Sequence, residues 1–327
     1  MLMNAVILAG DTGHDLRPLT LSTPTPMLTV ANVPVIDYAV AHLRAFGIRE
    51  FVYMVGHKHE NIVSYAAHYK GVTSRFLIES EPLGSLGGIK GAEQILSDVF
   101  LVISGNVIEN IDLSAMFNKH FNSGALITMA VTPSEDISAQ LVESDAWGTV
   151  IGINEKEGKA AKAGFADCGI YIVDKQALAW VPKNTFYNFL DLFVTLIPKR
   201  KLSTFIHEGY FSAVNTQNKY FTANFDLLRG GFFDPAPHCG RERRYSQTDG
   251  QNNLIAVGAQ VFGNIKNSII GFDAIIEKNA ELDTCIVLEG ARVAKSHRNC
   301  ILGQNFILQN LTFFSQNAEK SVVFLQN

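Results

Sequence analysis

The stretch LAGDTGHDLRPLTLSTPTPML, Leu8 to Leu28, has residue types suited to holding phosphate. An apolar run, Asn4-Ala5-Val6-Ile7-Leu8, enters a glycine turn, and a segment punctuated by Pro18, Pro24 and Pro26 follows. Loops that cradle a polyphosphate use backbone N–H groups at glycines, helped by cations. Gly10 and Gly13 suit that role. Asp11 and Asp15 oppose it, because each adds negative charge where phosphate would bring more. Ser104-Gly105-Asn106-Val107 also follows an apolar run, so both phrases are expected to line one crevice.

The elements that must position these loops alternate in type. NAVILAG, EFVYMVG (Glu50 to Gly56), SRFLIES and VFLVISG (Val99 to Gly105) read as buried strands. VIDYAVAHLRAFGI has helical spacing, with Ile36, Ala39, Val40 and Leu43 on one face and a stop at Gly47; KHENIVSYAAHY reads as a second helix. Short strands separated by helices predict a doubly wound, mainly parallel, Rossmann-like α/β sheet, with ligands beyond the carboxyl ends of its strands. ALITMAV, CGIYIV and the helix-like FYNFLDLFVTLI extend the same unit, giving an expected α/β domain over 1–230.

Gly230 to Asn253 is rich in Gly, Pro and polar residues and reads as a connector over 231–253. Beyond it helical periodicity stops. Gly258-Ala259-x-Val261, Ala274-x-Ile276 and Gly290-Ala291-x-Val293 recur. Ser268, Cys285 and Cys300, each beside aliphatics, mark another face at separations of about 15–17 residues, the coil length of hexapeptide-type solenoids. The expected architecture over 254–327 is a left-handed parallel β-helix, against the alternative of a small irregular β-domain.

The bulk numbers exclude several classes. The chain has 327 residues, 47% hydrophobic and 18% charged, with a formal net charge of −4. That describes a globular protein with a full core and no basic face for nucleic acid or an anionic membrane. The densest basic stretch, Arg241-Glu242-Arg243-Arg244, lies in the connector. Four scattered cysteines, Cys168, Cys239, Cys285 and Cys300, make no CxxC pair and suit a reducing compartment. No segment approaches the length of a membrane span, so a cytoplasmic location is expected.

Several phrases in order resemble the sugar-1-phosphate nucleotidyltransferases, the mannose-1-phosphate guanylyltransferase-like and glucose-1-phosphate nucleotidyltransferase-like proteins most of all. Asn32-Val33-Pro34 resembles the family's N-x-P, and Glu81-Pro82-Leu83-Gly84-Ser85-Leu86-Gly87-Gly88 its E-P-L-G-T-A-G loop. Asn154-Glu155-Lys156 resembles E-K-P, Cys168-Gly169-Ile170-Tyr171 resembles A-G-I-Y, and Tyr220-Phe221-Thr222-Ala223-Asn224 resembles Y-x-x-A-N. The resemblance covers nearly the whole chain, since many members carry a C-terminal left-handed β-helix. It implies nucleotide contacts at Leu8, Ala9, Gly10, Gly13, Pro82, Leu83, Gly84 and Ser85. It implies sugar contacts at Glu155, Gly169 and Asp167. The implied chemistry joins an NTP to a sugar 1-phosphate with release of pyrophosphate, aided by Mg²⁺ and basic side chains.

The chemistry-bearing positions depart from that pattern. In Gly10-Asp11-Thr12-Gly13-His14-Asp15-Leu16-Arg17-Pro18, Asp15 stands at the catalytic arginine, and Thr25 stands at the phosphate-contacting lysine. The two metal aspartates correspond to Asn106 and Ala213, so no metal site is expected. Losing one charge-stabilising group commonly costs ~10²–10³ in rate. The sequence therefore points to a homologue without transfer activity that binds a nucleotide or nucleotide sugar and serves as a regulatory or assembly subunit. Its expected partners are itself or an active paralogue. One alternative is an active nucleotidyltransferase in which Arg17 substitutes for the arginine and Asp11, Asp15, Glu109, Asp112 or Asp167 supplies carboxylates; only there is Mg²⁺ expected. Another is a structural oligomer with an empty crevice. His57 and His59 read as polar residues starting a helix, SEDISAQLVESD as a solvated flap, and Cys285 and Cys300 as inert packing residues.

Overall fold

Glycine-bounded apolar runs become strands throughout the first half of the chain. The computed structural model describes residues 3–79, 81–134, 141–154, 164–230, 246–248 and 250–311. These divide into two compact units. The first takes the chain up to Asp11 together with His42–Phe211; the second takes Thr12–Ala41 and the described residues from Ser212 onward.

The first unit is built on a nine-stranded sheet. Its strands are β1 (Asn4–Ala9), β2 (Glu50–Val55), β3 (Thr73–Ile78), β4 (Val99–Ser104), β5 (Ile127–Ser134), β6 (Leu141–Ser144), β7 (Val150–Asn154), β8 (Gly164–Asp174) and β9 (Leu202–Ile206). They run in the spatial order β7-β6-β8-β4-β1-β2-β3, with β5 also pairing β8 and β9 pairing β5. The half from β4 to β3 is parallel, as expected. The other half is mixed, because β8 runs antiparallel to both β4 and β5. Among the helices, α1 spans Val35–Ala45, α2 His59–Ala66, α3 Gly84–Gly91, α4 Leu113–Ser123, α5 Phe189–Leu196 and α6 Gln217–Arg229. Helix α2 begins at His59, so the histidine pair does sit at a helix start. One expectation fails: Leu141–Ser144, read as solvated flap, is strand β6, with Val142 buried in the core. The core of the unit joins Val6, Val52, Phe100 and Val102 of the sheet to Leu86, Ile89, Leu192 and Phe193 of the helices.

The second unit carries the C-terminal strands β10 (Leu254–Ala256), β11 (Gln260–Val261), β12 (Asn264–Lys266), β13 (Ile269–Ile270), β14 (Ile275–Ile276), β15 (Glu281–Val287), β16 (Arg292–Val293), β17 (His297–Leu302) and β18 (Ile307–Leu308). They stack in parallel ladders, β10-β13-β15-β17 and β11-β14-β16, the arrangement expected of a β-helix. Successive coils are 15 or 17 residues apart: Cys285 sits in register with Cys300, and its N–H donates to Ser268 Oγ at 3.1 Å. Ile270, Ile276, Leu282, Cys285, Val293 and Cys300 fill the interior. Phe313-Phe314 and the last residues lie outside the described residues.

The division into units does not follow the linear 1–230, 231–253 and 254–327 order. Thr12–Ala41 and α6 group with the C-terminal coils because buried amides bind them together. Ala31 N–H donates to Asn224 Oδ1 at 2.8 Å, and Asn32 Nδ2 donates to the Ile270 carbonyl at 3.0 Å. The Tyr220 hydroxyl adds a bond to the Thr29 carbonyl at 2.8 Å.

Candidate functional site

Parallel pairing of β1, β2, β3 and β4 brings their carboxyl ends to one edge of the first unit. Leu8 and Ala9 end β1, and Gly10 and Asp11 follow it. Beside them Gly105 N–H donates to the Leu8 carbonyl at 2.7 Å, so Asn106 follows directly on the same edge. Strand β8 is antiparallel to β4, with Ile170 opposite Ile103, so its Asp167-Cys168-Gly169 segment reaches this edge too. A register shift between Asp167 and Tyr171 marks an irregularity there. Gly169 has φ +68°, and a Cβ on it would lie 2.7 Å from Ser104 Oγ. Both the backbone angle and the space therefore demand glycine.

Asp167 organises this corner. Its Oδ1 accepts the Gly169 N–H at 2.8 Å, and its Oδ2 accepts the Tyr171 hydroxyl at 2.5 Å. Burial pushes its carboxyl up to about 6, although these two donors pull it down. Tyr171 in turn packs on Phe189 at 4.3 Å between ring centroids, which anchors the corner in the core. Burial, with the Asp167 charge beside it, pushes the Cys168 thiol well up, so it is no nucleophile.

The loop from Pro82 to Ser85 enters α3, but α3 spends its first N–H groups inside the protein. Leu86 and Gly87 N–H both donate to the Tyr187 carbonyl at 3.0 Å, and Ser85 N–H donates to Asn188 Oδ1 at 3.0 Å. Ser85 Oγ accepts the Phe189 N–H at 3.1 Å. Gly84, at φ +76°, leaves room for Tyr187 and Asn188. The loop is thus fixed in shape by its own chain, and Glu81 and Pro82 remain exposed. Glu79, half-buried at the end of β3, escapes sequence reading. Its carboxyl is raised by burial while Leu83 N–H holds it back. An acid directly after a strand, two residues before a Gly-rich loop, was the available signal.

Sequence candidates for metal ligation divide sharply. Mg²⁺ takes one or two protein carboxylates and keeps several waters. Asn106 presents a neutral amide and Ala213 no donor. Three of the five alternative carboxylates are already engaged, while Asp11 and Asp15 are exposed. Glu109 lies 2.6 Å from His42 Nδ1 and its Oε2 accepts Ile111 N–H at 2.6 Å. Asp112 caps α4 by accepting Ala115 N–H at 2.9 Å. Asp167 holds Gly169 and Tyr171. No group of three His, Cys, Asp or Glu side chains suited to a metal gathers among the described residues. Asn106 and Ala213 therefore do not supply the carboxylates of a family-type Mg²⁺ site.

In the second unit, Gly13, at φ +61°, is walled in: a Cβ there would collide with Thr25 Oγ1 and Thr20 Cγ2. Thr20 Oγ1 donates to the Gly13 carbonyl at 2.7 Å. Thr25 is fully buried, and its hydroxyl finds no partner among the described residues. A side chain at 25 therefore points into packing. His14 and Asp15 are exposed and lie 3.3 Å apart. Arg17 is exposed and its carbonyl accepts from Gln217 Nε2. Ala213 is half-buried at the end of a short strand. Glu155 lies outside the described residues. No helix among the described residues is long and apolar enough to cross a membrane.

Comparison with known proteins places this arrangement. The family model described as nucleotidyl transferase matches residues 4–229. A D-glycero-alpha-D-manno-heptose 1-phosphate guanylyltransferase of Aneurinibacillus thermoaerophilus is 30% identical over 233 residues, 69% of this chain and 98% of that protein. A mannose-1-phosphate guanylyltransferase of Mycobacterium tuberculosis is 26% identical over 300 residues, 89% of this chain and 81% of that protein. Among solved structures, HddC from Yersinia pseudotuberculosis, complexed with GMP-PN, shares the fold at a TM-score of 0.58 and 23% identity. It covers 68% of this chain and 98% of its own.

Proposed function

Because this chain belongs to the nucleotidyl transferase family, we propose that its crevice binds a guanine nucleotide or nucleotide sugar without carrying out metal-dependent transfer, and that the protein serves as a regulatory or assembly subunit. The guanine preference rests on the names of the relatives, which are guanylyltransferases. The observation that carries the reading is the state of the carboxylates. At the strand-end edge Asn106 is neutral, and Glu109, Asp112 and Asp167 are each held by protein donors.

Phosphoryl transfer is catalysed almost wholly by positioning and charge neutralisation. This chain keeps the positioning. Gly169 approaches β4, the Pro82–Ser85 loop is pinned by Tyr187 and Asn188, and Gly10 is exposed just past the end of β1. By the family resemblance, Asp15 and Thr25 stand at the positions of the family's arginine and lysine, which leaves Arg17 as the loop's basic side chain. A nucleotide sugar carries less charge than an NTP and needs them less. For assembly, the second unit offers a groove of about 520 Å³ beside a ladder of alternating charge, Lys266, Asp283 and Arg298. That surface suits a second copy or a paralogue with complementary charges.

Two measurements test the reading. Calorimetry with GDP-mannose in EDTA should give saturable binding. Incubation with Mg²⁺, each of four NTPs and a panel of sugar 1-phosphates, followed by mass spectrometry, should give no nucleotide sugar. Product formation would instead establish the active alternative, with Asp11, Asp15 or a carboxylate released from its present partner supplying the charge.

A further inference from the structure

At the opposite edge of the first unit's sheet, a second cavity of about 290 Å³ opens where β5 and β9 begin. Helix α4 contributes Lys119 and Asn122, the turn between β6 and β7 contributes Trp147 and Thr149, and Arg200 and Ser203 complete it. The turn is firmly built. Asp145 Oδ1 accepts the N–H groups of Trp147 and Thr149 at 3.0 and 2.9 Å, and Thr204 N–H donates to the Gly148 carbonyl at 2.7 Å. Lys119 Nζ donates to the Trp147 carbonyl at 2.8 Å. This fixed turn holds the Trp147 side chain 81% exposed. A rigid scaffold that presents a tryptophan to water beside a cavity differs from a loose surface loop.

Charge and hydrogen-bonding capacity converge on the same place. Arg200 is oriented by Asp145 at 2.6 Å, which leaves its other N–H groups available; Lys119 keeps two donors after its one backbone bond. Lys201 Nζ covers the Gly124 carbonyl past the end of α4 at 3.2 Å, offsetting the negative pole of the helix. Ser203 is only 3% exposed and lines the cavity, and its hydroxyl has no partner among the described residues. Asn122 and Thr149 side chains are likewise uncommitted there.

We propose that this cavity is a second ligand site, taking a hexose monophosphate. Lys119 and Arg200 receive the phosphate as charge-assisted donors. Asn122, Thr149 and Ser203 meet ring hydroxyls, and the Trp147 indole covers the apolar C–H face of the sugar. The volume of about 290 Å³ lies just below the ~300–1,000 Å³ range of small-molecule sites, which suits a ligand the size of a sugar monophosphate. The site is separate from the strand-end crevice and does not depend on what that crevice binds.

The chain has two tryptophans, so Trp180→Phe leaves Trp147 as the sole reporter. Titrating this variant with mannose 6-phosphate should change its emission saturably, and free mannose and inorganic phosphate should each bind more weakly. Lys119→Ala and Arg200→Ala should each weaken binding by about tenfold or more. Ser203→Ala, a near-isosteric change, should weaken it less while leaving the melting temperature in place. GDP-mannose affinity in the crevice, measured by calorimetry, should survive all three substitutions, which separates this site from the crevice. No saturable change, or equal affinity for inorganic phosphate and the sugar phosphate, or indifference to both cations, would overturn the assignment.

Discussion

Asn32 Nδ2 donates to the carbonyl oxygen of Ile270, 238 residues away in sequence, at 3.0 Å within a buried contact. This single amide joins the segment after the glycine-rich loop to the first coils of the C-terminal stack. Asn32 has φ +64°, so alanine would add strain to the loss of the amide. Asn32→Gly keeps the backbone angle and removes only the side chain. It should cost about 0.5–1.5 kcal/mol, the net worth of one hydrogen bond, because the Ile270 carbonyl keeps its place in the ladder with β10. Urea unfolding measures the loss, and hydrogen exchange should rise first around Ser268 to Ile270. A stability equal to that of the parent would show that the bond contributes nothing net.

Thr25 makes the opposite prediction. Its buried hydroxyl is without a partner among the described residues, so the isosteric Thr25→Val should be neutral or stabilising by up to about 1 kcal/mol. Thr25→Lys, which restores the family's residue type, should destabilise by several kcal/mol, because an ammonium would be forced into packing around Gly13. Thermal melts of the two variants decide it; a well-folded Thr25→Lys protein would show that the loop can open toward solvent.

His42 and Glu109 form a buried pair at 2.6 Å. Burial alone would lower the His42 pKa, but the Glu109 charge and hydrogen bond more than offset it, leaving the imidazole raised. The stabilisation is therefore fully present below the ordinary histidine range and is lost as pH rises through the raised folded value. Glu109→Gln should cost about 3–5 kcal/mol where the pair is charged, since one member stays buried without its partner. The gap between variant and parent should narrow at alkaline pH. A gap constant from about pH 6 to pH 9 would mean that the pair is neutral throughout.

Asp167 carries the same sign, although here the form retained by the fold is the neutral one. With its folded carboxyl raised to about 6, the folded state holds the proton more tightly than the unfolded chain does. Stability from this group is complete below the ordinary carboxylate range and declines as pH rises through about 6. Asp167→Asn removes the titration and can still accept the Gly169 N–H. Its advantage over the parent should grow between about pH 4 and pH 7, toward an upper bound of ~3 kcal/mol. Chemical denaturation at the two pH values tests this, and an unchanging difference would reject it.

Much of this was legible in the residues, for identifiable reasons. Strands β1 to β4 announce themselves because each is a short apolar run ended by a turn or a polar loop. The coil spacing shows through Ser268, Cys285 and Cys300, which do stack. Strand β6 was hidden because four residues between acidic flanks carry too little alternation to distinguish a strand from a flap. The grouping of Thr12–Ala41 with the C-terminal coils was hidden for another reason: it rests on Asn32 and Asn224, and isolated amides leave no periodic trace. At the site, the family resemblance offered Gly84 and Gly169 as ligand contacts, and their close approaches to Tyr187 and to Ser104 were not readable. That Ser85 and its neighbours bind Tyr187, Asn188 and Phe189 was not readable, since nothing local names a partner about a hundred residues on.

Gly13 has one more consequence. The turn around it is braced from within, by Thr20 on its carbonyl, by the Thr25 packing and by the buried Leu16. Nothing in that brace requires a guest. A loop that needed an anion to hold its form would collapse once its cations mutated, and selection would then erase its outline. Here the contour rests on Thr20, Thr25 and Leu16 rather than on charge, so the outline by itself carries no information about reactivity. Family membership read from outline alone will therefore persist in descendants whose reactivity has drifted away.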